Sequence, residues 1–273
     1  MKIKRIIGLL LSAAMLCSMA ACGAKADADV LMREAVSNAD KLQSCTAVIS
    51  NVLEFTANGK KNVYKTGNEI VYQAKPFALK STQTSLLNAA AGSGVSYTMT
   101  SGDGVWFYSV AGDKWQKTQA QSVDPSPSNQ VDILRLLGSV SAQKYVRETT
   151  LNSKKVHKLE LSFRSEVLRG TIENIVTATG MGQGSHTVVQ TLLDSVPTVY
   201  GYCYIDEETG QILRIELDAA ETLNRVFQNI DGSGVAVNIT KCTITGDIAN
   251  IGKAPAVALP PEAAAAQTVQ AAG

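Results

Sequence analysis

The sequence predicts an α+β chain, mainly β, built on an antiparallel sheet. Over long stretches apolar and polar residues alternate with period two, the signature of half-buried strands. Turn signals rich in Gly, Asn, Asp and Pro recur at fairly regular intervals between those stretches. Only a few segments carry the helical spacing of three to four residues.

The elements follow in order. Asp29 to Leu42 reads as a helix with Val30, Leu31, Ala35, Ala39 and Leu42 on one face, capped by Asp27 or Asp29. A strand follows, with Cys45, Ala47, Ile49, Leu53 and Phe55 on one side and Thr46, Ser50 and Glu54 on the other. Asn58-Gly59 is a hairpin turn, leading to a strand from Val63 to Gln73 in which Gly67 marks a bulge. Lys75-Pro76 breaks the pattern before a strand from Phe77 to Ser85. Asn88 to Gly94 reads as a small-residue loop, then Val95–Ser101, Val105–Val110 and Trp115–Thr118 complete a meander.

The middle of the chain changes character. Asp124-Pro125-Ser126-Pro127-Ser128 is a loop, followed by a short helix with Val131, Ile133, Leu134 and Leu137 apolar. Strands resume at Tyr145–Thr149 and Lys155–Phe163. Two amphipathic helical stretches, Glu166–Ala178 and Val188–Val196, flank a flexible Gly180–Gly184 segment, and Pro197 stops the second. Tyr200–Ile205 and Gln211–Asp218 form a hairpin around Asp206-Glu207-Glu208-Thr209-Gly210. Ala219 to Phe227 fits more than one element. Asp231-Gly232-Ser233-Gly234 turns the chain into a last strand from Val235 to Thr245. Residues 251–273, rich in Pro and Ala, are expected to be a disordered tail.

The N-terminus has its own logic. Lys2, Lys4 and Arg5 precede an apolar run from Ile6 to Leu16 that is too short to span a bilayer as a helix. Ser18-Met19-Ala20-Ala21-Cys22 then resembles the lipobox of a bacterial lipoprotein signal peptide, with Met19 where Leu is usual. That resemblance implies a signal peptide of residues 1–21, a diacylglyceryl group on Cys22, and a protein lipid-anchored to the extracytoplasmic face of the cell membrane. Two acyl chains suffice for stable anchoring. The alternative is an ordinary secretory signal cleaved at Ala21. Residues 22–28 serve as the tether of a domain spanning 29–250.

Charge and cysteine content narrow the function classes. Three of the 25 basic side chains lie in the first five residues and no acid precedes Cys22, so the remainder is net −2. A nucleic-acid partner, which needs a basic footprint, is therefore not expected. Cys45, Cys203 and Cys242 sit in strands, as buried thiols or, for the last two, as a bridge. Their wide spacing argues against zinc.

Several short segments carry a further resemblance. They are the lipobox, the helix end Lys41-Leu42-Gln43-Ser44 with the strand pair after it, Lys75-Pro76-Phe77-Ala78-Leu79-Lys80, Gly104-Val105-Trp106-Phe107-Tyr108, Lys114-Trp115-Gln116-Lys117, and Tyr204-Ile205-Asp206 with Thr209-Gly210. In this order they resemble a Gram-positive lipoprotein family of unassigned function, similar to the LolA/LppX/RseB-like half-barrel group. The resemblance implies a strongly curved antiparallel sheet, a half-barrel, with helices on the concave side. In that group LolA-type members carry lipoprotein acyl chains, LppX-type members carry complex lipids, and RseB-type members dock envelope proteins. The inserted stretch Glu166–Val196 has no obvious counterpart and could fill the cavity.

The function implied is binding of a hydrophobic ligand, a lipid or acyl chain, in the curved-sheet cavity. The residues expected to line that cavity are Ile49, Leu53, Phe55, Phe77, Leu79, Trp106, Leu159, Leu161 and Phe163. The alternative is an envelope interaction or sensor protein with a filled core and a protein partner. Enzymatic chemistry is not expected, and no cofactor or metal is called for. His157 and His186 are far apart, with no GxSxG elbow. Gly180-Met181-Gly182-Gln183-Gly184 lacks the strand and Lys-Ser/Thr of a phosphate loop. Asp231-Gly232-Ser233-Gly234 lacks a calcium loop's carboxylates. The acids at 206–208 read as a solvated hairpin tip. Trp106, Tyr108 and Trp115, and Tyr200, Tyr202 and Tyr204, suit either a ligand-facing sheet or ordinary cross-strand packing.

Overall fold

The computed structural model describes residues 27–102, 104–120, 122–181, 186–228 and 236–269. The signal segment, Cys22 and most of the tether lie outside the described residues, as do Gly182 to Gly184 and the Asp231–Gly234 turn.

Alternating residues build one 12-stranded sheet, curved and unclosed. Its strands are β1 (Ser44–Ala57), β2 (Lys60–Gln73), β3 (Ala78–Leu87), β4 (Ala90–Ser101), β5 (Gly104–Ala111), β6 (Lys114–Ala120), β7 (Val140–Leu151), β8 (Lys154–Phe163), β9 (Val199–Asp206), β10 (Ile212–Asp218), β11 (Val237–Ala249) and β12 (Gln267–Thr268). They lie in the order β12-β6-β5-β4-β3-β2-β1-β11-β10-β9-β8-β7. Every pairing is antiparallel except β12 on β6. The long return that sets β11 beside β1 joins two meanders into one surface.

Turn chemistry sets the registers. Asn58 and Gly59 both take positive φ, as a two-residue hairpin turn of the primed kind requires. Asn152 and Ser153 do the same between β7 and β8. The expected loop from Asn88 to Gly94 is instead a tight turn followed directly by β4. Asn88 takes positive φ, and its Oδ1 accepts from the Val63 amide at 2.9 Å. Ala90 to Gly94 are paired residue by residue with Gln83 to Leu87. Small residues read as a loop because glycine weakens an isolated strand, but pairing with β3 holds these in place.

Apart from the last, the described helices cover one face of the sheet. α1 (Ala28–Ala39) starts at Asp27, whose Oδ1 accepts from the amides of Asp29 and Val30 at 2.9 and 3.4 Å. Two single-turn helices follow β6, α2 (Pro127–Gln130) and α3 (Asp132–Arg135). α4 (Arg169–Thr179) and α5 (His186–Ser195) form a pair, and Gly180 in the left-handed region ends the first. The 219–227 segment resolves as α6 (Ala220–Gln228), where the Asn224 amide donates to Ile239 O and accepts from Ile239 N, both at 2.7 Å. Ile172, Ile175, Val189, Leu193 and Leu223 from these helices are buried against Leu159, Leu161, Phe163, Cys203 and Ile215 of the sheet. Fully burying each such side chain contributes about 1.5–3 kcal/mol.

The tail departs from expectation. Residues 254–269 fold back over the convex face of β4–β6, through α7 (Pro261–Ala264) and β12. Val257, Leu259 and Ala266 pack on Tyr97, Trp106, Tyr108 and Trp115. The tail builds no core of its own; the sheet supplies an aromatic surface that a few apolar residues cover. Cys45, Cys203 and Cys242 are free and buried, so the bridge alternative is not formed. Burial raises each thiol pKa to about 12.

Candidate ligand groove

The inward face of the sheet can be followed row by row. One row crosses nine strands: Tyr145, Leu159, Cys203, Ile215, Gly246, Ile49, Asn68, Gln83 and Gly94. The next row runs Gln143, Leu161, Gly201, Leu217, Ile244, Asn51, Thr66, Ser85 and Gly92. Both rows are apolar and helix-covered from β8 to β11. Past β1 both become polar, and the helical cover stops.

Beyond that change lies an open groove of about 570 Å³. It is lined by Ile49, Asn51, Thr66, Asn68, Gln83, Ser85, Gly92 and Gly94, which are the β1 to β4 members of the two rows. Gly67, Thr84 and Ser93 lie between them, and Asp132 of α3 forms a rim. Asp132 is the one charged side chain of that lining.

A hydrogen-bonded chain fixes the floor. Ser81 Oγ donates to Asn68 Oδ1 at 2.7 Å, and Asn68 Nδ2 donates to Asp132 Oδ2 at 2.6 Å. Arg135 holds Asp132 Oδ1 from the solvent side at 3.3 Å. Asn51 Nδ2 donates to Thr66 Oγ1 at 3.1 Å, while Asn51 Oδ1 is buried and accepts from nothing. A Cβ added at Gly246 would lie 2.7–2.9 Å from three carbons of Ile133, so this glycine is what lets α3 settle on the sheet. A Cβ at Gly94 would meet nothing within 4 Å, so the groove is open above it.

The residues nominated from sequence divide into three sets. Leu53, Phe55, Phe77, Leu159, Leu161 and Phe163 come together, but inside the main core, each at 6% exposure or less. Ile49 and Leu79 are partly buried at its margin. Trp106 belongs to the opposite face, under the tail, and cannot line a concave cavity. Strand alternation explains it: Trp106 pairs with Met99 and shares its outward side with Tyr97 and Tyr108.

The groove residues were not nominated, although one signal exists. The inward face of β1 reads Cys45, Ala47, Ile49, Asn51, Leu53 and Phe55, and Asn51 is the single polar member. The same side of β2 carries Thr66 and Asn68, and that of β3 carries Gln83 and Ser85. Polar residues at inward positions of three successive strands mark an uncovered stretch.

Other candidates have structural occupations. A larger cleft of about 760 Å³ at the sheet end is lined by Lys154, Arg214 and Lys253 beside Leu213 and Ile248. Two of its cations are already paired, Lys154 with Asp206 at 2.8 Å and Arg214 with Asp247 at 2.7 Å. Asp206 is not a solvated acid: it is 4% exposed and organises its hairpin by accepting from Glu208 and Thr209 amides at 3.0 Å. Desolvation raises its pKa, but the Lys154 bond and those amides outweigh it, leaving the pKa below the usual carboxylate value. His157 Nδ1 is buried without a partner, beside the Tyr145 ring at 6.1 Å, and His186 is exposed at the start of α5. Tyr200, Tyr202 and Tyr204 line the convex face, where Lys158 Nζ sits 3.6 Å from the Tyr202 ring. Among the described residues no group of three or more His, Cys, Asp or Glu is placed to hold a metal ion. No helix among them is long and apolar enough to cross a membrane.

No family model and no curated protein matches the chain. Solved structures to which it is similar include LprF from Mycobacterium bovis, at 11% identity over 85% of this chain and 95% of that one, with a TM-score of 0.43. Lipoprotein LppX of Mycobacterium tuberculosis matches at 11% identity over 84% and 97%, with a TM-score of 0.37. A chain of the Pseudomonas aeruginosa MucA/MucB complex matches at 13% identity over 85% and 59%, with a TM-score of 0.29. The curved, unclosed sheet with helices on its concave face is the half-barrel that the sequence resemblance implies.

Proposed function

We propose that the chain is a membrane-anchored extracytoplasmic lipoprotein, tethered through lipidated Cys22, that binds a lipid or similar amphiphile on the concave side of its half-barrel. The observation that carries this reading is the change of character along the inward rows at Ile49 and Asn51. There an apolar interior meets an open polar groove, and an amphiphile has the same two parts. Ile49, which lines the groove, is the nominated side chain such a ligand meets first, and Leu79 lies at the margin of the core. Leu53, Phe55, Phe77, Leu159, Leu161 and Phe163 would touch an acyl chain only where the α4–α5 cover lifts. The reading includes no catalytic step, and no histidine lines the groove.

A second reading is favoured by the packed state of those six side chains: an envelope interaction or sensor protein with a filled core. Its docking surface would be the convex face around Tyr200, which is 57% exposed.

Native mass spectrometry with lipid extraction separates the two. The chain from residue 23 onward, which holds every described element, is purified without detergent from a membrane-containing lysate. A bound amphiphile of defined mass is expected. A clean apo mass that is unchanged after incubation with mixed lipids would overturn the lipid reading and leave the protein-partner one.

A further inference from the structure

We infer that the groove over β1–β4 recognises an uncharged, hydroxyl-rich ligand, a saccharide, either free or carried as a lipid headgroup. The inference rests on the reading that the concave side is the ligand side, and it names the chemistry recognised there.

The lining itself selects the class. Asn51, Asn68 and Gln83 offer amides, and Thr66 and Ser85 offer hydroxyls. Such groups both donate and accept, which matches alcohols that do the same. Asn51 Oδ1 is a buried acceptor with no donor. Gln83 and Ser85, further out on the floor, are the amide and hydroxyl most open to a ligand. Gly92 and Gly94 keep the outer floor flat and accessible.

The same lining works against other classes. A phosphate or carboxylate would meet no cation in the groove and would face Asp132. An acyl chain laid there would strip water from amides and hydroxyls without replacing their hydrogen bonds. An extended peptide adds to a sheet through an unpaired strand edge; β1 to β3 have a neighbour on each side, and Ala90 to Val95 of β4 are paired with β3 alone, so a peptide adding there would run beside β4 and not over the floor that β1 to β3 form. A polyol needs neither charge nor edge.

The test uses the chain from residue 23 onward with two kinds of probe. One is a free disaccharide, cellobiose or N,N′-diacetylchitobiose, followed by saturation-transfer NMR and calorimetry. The other is flotation with phosphatidylglycerol vesicles, with and without a diglucosyl diacylglycerol. Binding of a disaccharide, or of glycolipid vesicles over plain ones, is expected. Gly94→Leu should abolish it with unchanged thermal melting, because the added side chain enters open space. Gln83→Leu should weaken it about tenfold, one lost hydrogen bond. Equal binding to both vesicle types, unaffected by Gly94→Leu, would overturn the inference while the lipid reading stands. Binding of a free disaccharide with no vesicle binding would sustain the inference and remove the lipid reading. No binding to any probe would remove both.

Discussion

The two halves of the concave face are made from the same rows of one sheet, yet they behave as different materials. From β8 to β11 the inward positions hold Leu159, Leu161, Cys203, Ile215 and Leu217, with helices pressed on them. From β2 to β4 the same rows hold Asn68, Thr66, Gln83 and Ser85, with only Asp132 of α3 at the rim above them. The glycines report the difference. At Gly201 an added Cβ would lie 2.4 Å from Glu216 O and 2.9 Å from both Leu217 and Phe163, whereas at Gly94 it would meet nothing. Close packing in one half is what frees the other half from a structural role. A sheet stabilised by its covered half can leave the rest hydrated and available.

The largest expected effect is therefore at Gly201. Gly201→Val forces a branched side chain against backbone and should cost about 3 kcal/mol or more, read by chemical denaturation. Leu161→Ala comes next, at about 2–5 kcal/mol for a cavity in the closed half. A cost for either that is no larger than for Ser85→Ala would erase the distinction between the halves.

Asp206→Asn should cost about 1–3 kcal/mol at neutral pH, because it weakens charge-assisted bonds at the β9–β10 turn. Its sign with pH is fixed by the lowered pKa of the folded state. The carboxylate contributes fully above the unfolded value of about 3.9, and that contribution is lost as pH falls through the lower folded value. The variant's acid limb should be flatter than that of the parent chain. An unchanged acid limb would place the stabilisation elsewhere.

The thiols probe closure without changing stability. Cys45, Cys203 and Cys242, raised to about 12 by burial, should resist an aromatic disulfide reagent at pH 8 and react when the chain unfolds. Fast labelling of Cys203 in the folded protein would mean that the α4–α5 cover opens readily. The smallest effects belong to the open half, where Gly94→Ala and Ser85→Ala should stay within about 0.5 kcal/mol.

Much of the fold could be read from the chain because strand alternation and turn chemistry are local. Asn58-Gly59 announces its hairpin, and Leu159, Leu161 and Phe163 announce a buried face. What could not be read depends on partners far along the sequence. Ala90 to Gly94 are a strand only because Gln83 to Leu87 lie beside them. The Pro/Ala-rich tail is placed only because Tyr97, Trp106, Tyr108 and Trp115 offer it a surface. Trp106 lies on the convex side and not in the cavity for a related reason: alternation says which residues share a face, not which face is concave. The groove was missed because polar inward residues look like ordinary exposed ones until the register places four strands side by side.

Hydrogen exchange of the chain from residue 23 onward, with and without diglucosyl diacylglycerol vesicles, tests the central claim most directly. The account predicts ligand-induced protection at residues 65–68, 83–85 and 92–94, with α4, α5 and β8 unchanged. Deprotection of α4 and α5 together with new protection along β8 and β9, the groove strands being unaffected, would contradict it. The ligand site would then be an opened core.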